Sequence, residues 1–100
     1  MKCAMQGGYI YIMSNKRDGT LYIGVTSNLS RRIWEHREKI VEGLTARYGL
    51  DHLVHYESFD DIRDALQREK NMKHWPRAWK LALIHEMNPD WEDLYKWLNW

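Results

Sequence analysis

Residues 9–36 decide the fold and read YIYIMSNKRDGTLYIGVTSNLSRRIWEH. Two short runs of β-branched and aromatic residues, 9–13 and 21–25, stand on either side of a polar segment that contains Asp18-Gly19. Such runs around a turn signal predict a β-hairpin. Alternation along the strands predicts an aliphatic face toward the core and an opposite tyrosine face, which carries Tyr9, Tyr11, Met13, Tyr22 and Gly24.

A helix is predicted directly after the hairpin. Thr26, Ser27 and Asn28 are all good N-cap residues. The spacing i, i+4, i+7 and i+11 then marks one face of a helix. Its members are Leu29, Ile33, His36 and Ile40. Gly43 is the expected stop of this helix.

Two adjacent arginines lie on this helix. At about 100° per residue, Arg32 lies near the buried stripe and Arg31 points nearly away from it. Arg32 is therefore the arginine aimed toward the sheet. A solvated basic face, closed by Glu35 and Glu38, is the alternative interpretation, and the nearby tyrosine face weakens it.

The tripeptides 9–11 (YIY) and 22–24 (YIG), with Arg32 and His36 in the helix that follows, resemble the GIY-YIG nuclease family in its small stand-alone bacterial form. The resemblance implies an α/β (α+β) fold in which helices flank a three-stranded antiparallel sheet. It also implies metal-dependent cleavage of phosphodiester bonds. Tyr9 departs from the pattern, because it stands where the family has glycine. We expect a single domain over residues 1–100, with a core of about 8–95.

Residues 53–56 predict the third strand, with Leu53 and His55 on one face and Val54 and Tyr56 on the other. A second helix is expected to begin near Asp61, capped by Ser58 or Asp60.

Glu69 falls within the apolar face of that second helix, which is defined by Ile62, Ala65 and Leu66. A core-facing carboxylate is unfavourable unless it is paired or bound to a metal. One explanation for the position of this carboxylate is an ion pair with Lys73 at i+4. The resemblance offers another, because the metal-binding glutamate of these nucleases falls at this place. The implied cofactor is Mg²⁺ or Mn²⁺, and Mg²⁺ needs few protein ligands because it keeps several waters.

A basic stretch interleaved with tryptophans follows Glu69. Lys70, Lys73, Trp75 and Arg77 are candidates for contact with nucleic acid, through phosphate binding and stacking. The alternative is that the tryptophans are core residues and the lysines are merely solvated.

The C-terminal third predicts two more helices. Pro76 opens the first, which runs to about Met87 with Trp79, Leu83 and Ile84 on its apolar side. Asn88 is expected to cap the second, which extends through residues 91–98. The resemblance offers Asn88 a further role in the active site, but capping alone explains it.

Composition limits the other functions. The formal net charge of +1 does not by itself indicate a nucleic-acid partner. A single cysteine excludes an internal disulfide, and no H-E-x-x-H motif supports a zinc site. No apolar run approaches the ~18–20 residues that cross a bilayer. We expect no membrane partner, a cytoplasmic location, and a monomer or weak dimer.

The resemblance, with the residues that carry it, predicts a metal-dependent endonuclease that cleaves DNA. By resemblance Glu69 binds the metal, Arg32 contacts the phosphate, and Tyr11 or Tyr22 positions or deprotonates the attacking water. His36 orients that tyrosine or relays its proton, and Tyr9 and Asn88 are further candidates. Which tyrosine is the base stays open, as do RNA as a target and a role in DNA repair, mobile elements or defence.

Two other classes remain. One is a silent nucleic-acid-binding module on the same scaffold, and the other is a protein-interaction domain that uses Trp97 and Trp100. The near-complete set of Tyr11, Tyr22, Arg32, His36 and Glu69 favours the nuclease, because neither alternative needs all five.

Overall fold

A three-stranded antiparallel sheet in the order β2-β1-β3 forms the centre of the protein. The computed structural model describes residues 6–39 and 48–98. In chain order these contain β1 (Gly8–Ser14), β2 (Leu21–Thr26), α1 (Leu29–Arg37), β3 (His52–Phe59), α2 (Ile62–Lys73), α3 (Arg77–Met87) and a 3-10 turn (Leu94–Trp97). The predicted fold class is therefore confirmed.

The two faces predicted for the hairpin are present in the sheet. Tyr11 pairs with Gly24 and Met13 with Tyr22, so all four lie on the tyrosine face. However, the expectation of a core on the aliphatic side alone is wrong. Tyr11 and Met13 are fully buried, because α1 and the C-terminal turn cover the tyrosine face. Helices α2 and α3 cover the aliphatic face, so the sheet separates two cores.

A β-bulge changes the faces predicted for the third strand. The register of β3 against β1 shifts between Ile12 and Met13, and Val54 is the extra residue. A bulge inserts one residue and so reverses the alternation on one side of it. Leu53 therefore pairs with Met13 on the tyrosine face, whereas His55 pairs with Ile12 on the aliphatic face. The prediction that Leu53 and His55 share a face is wrong for this reason.

Helix α1 begins as the sequence predicts. Asn28 is its N-cap, and its side-chain oxygen accepts a hydrogen bond of 3.2 Å from the backbone N–H of Arg31. Leu29, Ile33 and His36 form its buried face, as expected. The helix ends at Arg37, and the expected Ile40 and Gly43 lie outside the described residues.

Helix α2 turns a slightly different side to the sheet than predicted. Asp61, rather than Ser58 or Asp60, is its N-cap. Ala65 and Met72 are fully buried in the aliphatic core, but Leu66 remains 48% exposed. Residues 65 and 66 are about 100° apart around a helix, so packing through Ala65 turns Leu66 outward.

The C-terminal segment contains less helix than predicted. Trp79 on α3 is 59% exposed, whereas Ile84 is fully buried. Asn88 does not start a helix, and its side-chain nitrogen donates to the carbonyls of Val54 and Glu92 instead. The 3-10 turn that follows is capped by Asp93. Within the described residues, no helix combines the length and the hydropathy needed to cross a membrane.

Candidate active site

Three rings from three elements meet on the tyrosine face. The ring centroids of Tyr11 and Tyr22 are 6.3 Å apart, and each is 5.7 Å from the centroid of His36. The hydroxyl of Tyr11 is 3.0 Å from Nε2 of His36 in a buried hydrogen bond. The structure thus brings together Tyr11, Tyr22 and His36, which we call the three-ring cluster.

Gly24 makes room for this cluster. It lies opposite Tyr11 in the register of β1 and β2, so the ring of Tyr11 extends over its Cα. A Cβ atom at this position would lie 2.5 Å from both Cζ and the hydroxyl oxygen of Tyr11. Contacts that short require the ring to move. Sequence reasoning placed Gly24 on the tyrosine face but not in the site, although a glycine opposite a tyrosine was the available signal.

Burial and charge set the protonation states in the cluster. Burial raises the pKa of Tyr11, and the nearby Tyr22 adds to this effect, although the charge of Arg32 opposes it. Burial also lowers the pKa of His36, and the charge of Arg32 lowers it further. At neutral pH the phenol is therefore protonated and the imidazole is neutral. The Tyr11 hydroxyl can then donate its proton to Nε2.

Arg32 lies at the edge of the cluster, as predicted. Its side chain is 40% exposed, and its Nε is 3.1 Å from a carboxylate oxygen of Glu35. The neighbouring Arg31 is 73% exposed and contacts the other oxygen of Glu35 at 3.3 Å. The two arginines border a depression of about 300 Å³, whose other lining residues are Thr26, Ser27, Asn28 and Glu35.

Glu69 lies on α2, and its side chain is 17% exposed. Its carboxylate forms an ion pair of 2.7 Å with Lys73, the partner expected at i+4. In the described part of the chain, the Glu69 carboxylate has no other hydrogen bond or ion pair. Within that part, no hydrogen bond joins it to the three-ring cluster.

The donor set suits a metal that keeps its waters. No group of three or more His, Cys, Asp or Glu residues that could enclose an ion occurs within residues 6–39 and 48–98. A single, partly exposed carboxylate such as Glu69 fits Mg²⁺, which needs few protein ligands.

The four residues predicted to contact nucleic acid have different surroundings. Lys70 and Lys73 are exposed. Trp75 is half-buried between the Arg68 guanidinium, 5.0 Å from its ring centroid, and the edge of Trp79. Arg77 donates to the carbonyls of Asp18 and Gly19, so it ties α3 to the turn of the hairpin. The predicted candidates Tyr9 and Asn88 are half-buried and buried respectively, and they lie outside the three-ring cluster.

A second polar network, on the aliphatic face, was missed in the sequence. Nε2 of His55 is 2.8 Å from the carboxylate of Glu57. Arg68 donates to both oxygens of that carboxylate, at 2.9 and 3.1 Å. The hydrogen bond from His55, together with Arg68, lowers the pKa of Glu57 to about 2. The bulge at Val54 hid this network, because it brings His55 and Glu57 to the face of α2.

Comparisons with known proteins agree with these observations. The model of the GIY-YIG catalytic domain matches residues 7–82. A UPF0213 protein of Clostridium perfringens is 36% identical over 91 residues, which cover 91% of this chain and 97% of the relative. A UPF0213 protein of Natronomonas pharaonis is 40% identical over 76 residues, covering 76% and 88% of the two chains. No solved structure matches the chain.

Proposed function

The chain belongs to the GIY-YIG catalytic domain family, and on that premise we propose that it is a metal-dependent endonuclease that hydrolyses phosphodiester bonds in DNA. The family domain implies nuclease-type activity, and nucleases of this family generally depend on a divalent metal. The observation that carries the proposal is the hydrogen bond between Tyr11 and a neutral His36 beside Arg32. The nuclease acts as a single domain.

The hydrogen bond provides a path for the proton of the attacking water. Burial raises the pKa of Tyr11, so a free phenolate is unfavourable at neutral pH. Tyr11 is fully buried, so this path requires that a water be admitted beside its hydroxyl. Tyr11 then accepts a proton from that water while it passes its own proton to Nε2 of His36. The resulting hydroxide attacks phosphorus, and the bond to the leaving oxygen breaks. His36 is therefore the proton acceptor in this proposal, and Tyr11 positions the water and relays its proton.

Arg32 supplies positive charge at the phosphate. Its guanidinium is partly exposed and borders the depression at the N-terminal end of α1. A planar guanidinium can bind two phosphate oxygens at once and offset the charge that grows in the transition state. Binding of phosphate requires that Arg32 give up its contact with Glu35, and Arg31 remains to neutralise that carboxylate.

Glu69 would hold the Mg²⁺ or Mn²⁺ ion. A bound ion would stabilise negative charge on the scissile phosphate and the leaving oxygen. The ion pair between Glu69 and Lys73 would have to open for this. Lys73 is exposed enough to swing toward solvent or toward a phosphate of the substrate.

Cleavage of supercoiled plasmid, branched DNA and single-stranded DNA, with Mg²⁺ or Mn²⁺ against EDTA, tests this function. We expect Glu69→Ala to abolish cleavage and Arg32→Ala to lower its rate at least about 100-fold. Arg17→Ala is the matched control, because Arg17 is 56% exposed and lines neither of the two depressions near α1. Its rate is expected to stay within a few-fold of wild type.

Equal losses in the two arginine variants, or full activity of Glu69→Ala, would contradict the mechanism. If no DNA is cut, the same assay on RNA tests the target. Salt-dependent binding without cleavage would identify a silent binding module, and absence of any binding would favour a protein-interaction domain.

A further inference from the structure

A second depression adjoins the one that Arg31 and Arg32 border. It has a volume of about 320 Å³, and it shares Ser27 and Asn28 with the first depression. Its far wall is aromatic and comes from three separate elements: Tyr9 of β1, Tyr56 of β3 and Trp97 of the 3-10 turn. The two depressions therefore meet at Ser27 and Asn28, with two guanidinium groups beside one and an aromatic wall in the other.

We propose that this second depression is a subsite for the nucleobase of a nucleotide next to the cleaved phosphate. The inference rests on the proposed function, because Arg32 locates the phosphate. A phosphate held at Arg32 leaves the adjoining nucleoside beside Ser27 and Asn28, at the mouth of the aromatic depression. Its volume lies at the lower end of the ~300–1,000 Å³ of small-molecule sites, which suits one nucleoside.

The side chains of the depression match a base in chemistry as well as in size. Trp97 is 59% exposed, although it is a large apolar side chain. Exposed aromatic rings are the stacking surfaces of proteins that bind single strands. The Lys96 ammonium lies 5.2 Å from the Trp97 ring centroid and 3.6 Å from a carboxylate oxygen of Glu92, so its charge is paired at this rim. The wall therefore offers a base a stacking surface.

Tyr9 acquires a role in this subsite. It stands where the family pattern has glycine, and it is half-buried on the tyrosine face rather than part of the three-ring cluster. The family's glycine would leave this part of the wall without a ring. The departure from the pattern therefore builds the depression.

The subsite selects a class of substrate. A base inside a duplex is stacked and paired, and it must leave the helix before it can enter such a depression. Single-stranded, flapped or gapped DNA offers an unpaired base, so no free energy is needed to unpair it from a partner strand. The structure therefore favours cleavage next to an unpaired nucleotide over cleavage within a continuous duplex.

Binding without cleavage tests the subsite separately from the reaction. We would measure the affinity of a fluorescent single-stranded 12-mer in EDTA for wild type, Trp97→Ala and Trp79→Ala. Trp79 is the matched control, because it is also 59% exposed but lies on α3 behind the opposite face. Loss of one stacking contact is expected to weaken binding of Trp97→Ala about tenfold and to leave Trp79→Ala near wild type.

A second measurement removes the base instead of the ring. Binding is measured for a series of oligonucleotides of a sequence that the protein cleaves, each with one abasic site at a different position. We expect an abasic site at one position next to the cut to weaken binding by the wild-type protein about tenfold. The same abasic site should leave the already weakened binding by Trp97→Ala unchanged. Tyr9→Gly, which introduces the family residue, is expected to weaken binding in the same way.

The outcomes separate this proposal from the proposed function. If DNA is cut but Trp97→Ala binds like wild type, or if the two tryptophan variants weaken binding equally, the subsite is overturned and the nuclease stands. If Trp97→Ala alone weakens binding and no substrate is cut, the base subsite stands and the nuclease fails. Equal affinity of wild type for single-stranded and duplex 12-mers would also overturn the subsite.

Discussion

Two histidines of nearly equal burial lie on opposite faces of the same sheet. His36 is 2% exposed on the tyrosine face, and His55 is 1% exposed on the aliphatic face. Nε2 of His36 meets the phenol of Tyr11, whereas Nε2 of His55 meets the carboxylate of Glu57. Because a carboxylate only accepts, the Nε2 proton of His55 is the donor. Burial alone does not distinguish these histidines, but their partners do.

The partners give the two sites different chemistry. Arg68 holds both oxygens of Glu57, so the charge on the aliphatic face is paired and fixed. On the tyrosine face, burial and the charge of Arg32 disfavour a proton on His36, and Arg32 also borders an open depression. A neutral base near an open depression is suited to proton transfer. In a closed ion-pair network, by contrast, the loss of one partner leaves an uncompensated charge.

The sharpest test of this comparison replaces each histidine by glutamine. Glutamine can form hydrogen bonds at either site but cannot take up a proton. We expect His36→Gln to lower the cleavage rate about 10²–10⁴-fold, the usual contribution of a general base. His55→Gln is the control, and its rate per folded molecule is expected to match wild type. Equal losses in the two variants would remove the functional difference between the faces.

Gly24→Ala tests the packing on the tyrosine face by adding a methyl group to β2 beneath the ring of Tyr11. The added methyl would lie 2.5 Å from the ring and hydroxyl of Tyr11, so the hydrogen bond with His36 must shift. We expect a loss of about 1–3 kcal/mol in the free energy of unfolding, together with a loss of cleavage. In a Tyr11→Ala background the ring is absent, and the same substitution is expected to have a much smaller effect on stability. Additive losses in the double variant would contradict this explanation.

Arg68→Ala tests the aliphatic face. It leaves a partly buried carboxylate at Glu57 without its guanidinium partner, and a loss of about 2 kcal/mol in the free energy of unfolding follows. Cleavage by the folded protein is expected to stay normal. Arg63→Ala is the comparison on the same helix, because Arg63 is 77% exposed and water screens its pair with Asp61, so a much smaller loss is expected. Urea unfolding measures both variants.

The dependence of stability on pH tests one titratable group on each face of the sheet. The folded protein lowers the pKa of Glu57 from 4.5 to about 2, so the unfolded chain binds that proton more tightly. Stability from Glu57 is therefore present above pH 4.5 and lost as the pH falls toward 2. The pKa of His36 is also lowered, from 6.5, so its contribution begins to fade below pH 6.5.

Urea unfolding at a series of pH values checks both windows. His36→Gln is expected to flatten the dependence just below pH 6.5, and Glu57→Gln is expected to flatten it between pH 4.5 and 2. A wild-type curve that rises as the pH falls through either window would show that the sign of the shift is wrong.

The parts of the fold that follow local rules could be predicted from the sequence. Alternation placed Tyr11 and Gly24 on one face of the hairpin, and the helical period buried His36. These features depend on neighbouring residues, so a local pattern contains them. The same period also placed Glu69 within the apolar face of α2, and its side chain is 17% exposed.

The parts that depend on distant packing could not be predicted. The bulge at Val54 has no local signal, and it decides which face carries His55. The exposure of Leu66 and Trp79 depends on how α2 and α3 roll against the sheet. The side-chain nitrogen of Asn88 donates a hydrogen bond to the carbonyl of Val54, 34 residues away. A capping rule considers only neighbouring residues and so cannot predict that partner.

The central position of β1 affects how the chain folds during synthesis. In the chain, β1 precedes both strands that flank it in the sheet, and β3 begins roughly 40 residues after β1. At about 5–20 residues per second the hairpin waits several seconds with one edge of β1 unpaired. An isolated hairpin is only marginally stable, and an open apolar edge invites association with other chains. The delay between the hairpin and β3 is therefore an interval in which a nascent chain can associate with others through the unpaired edge of β1.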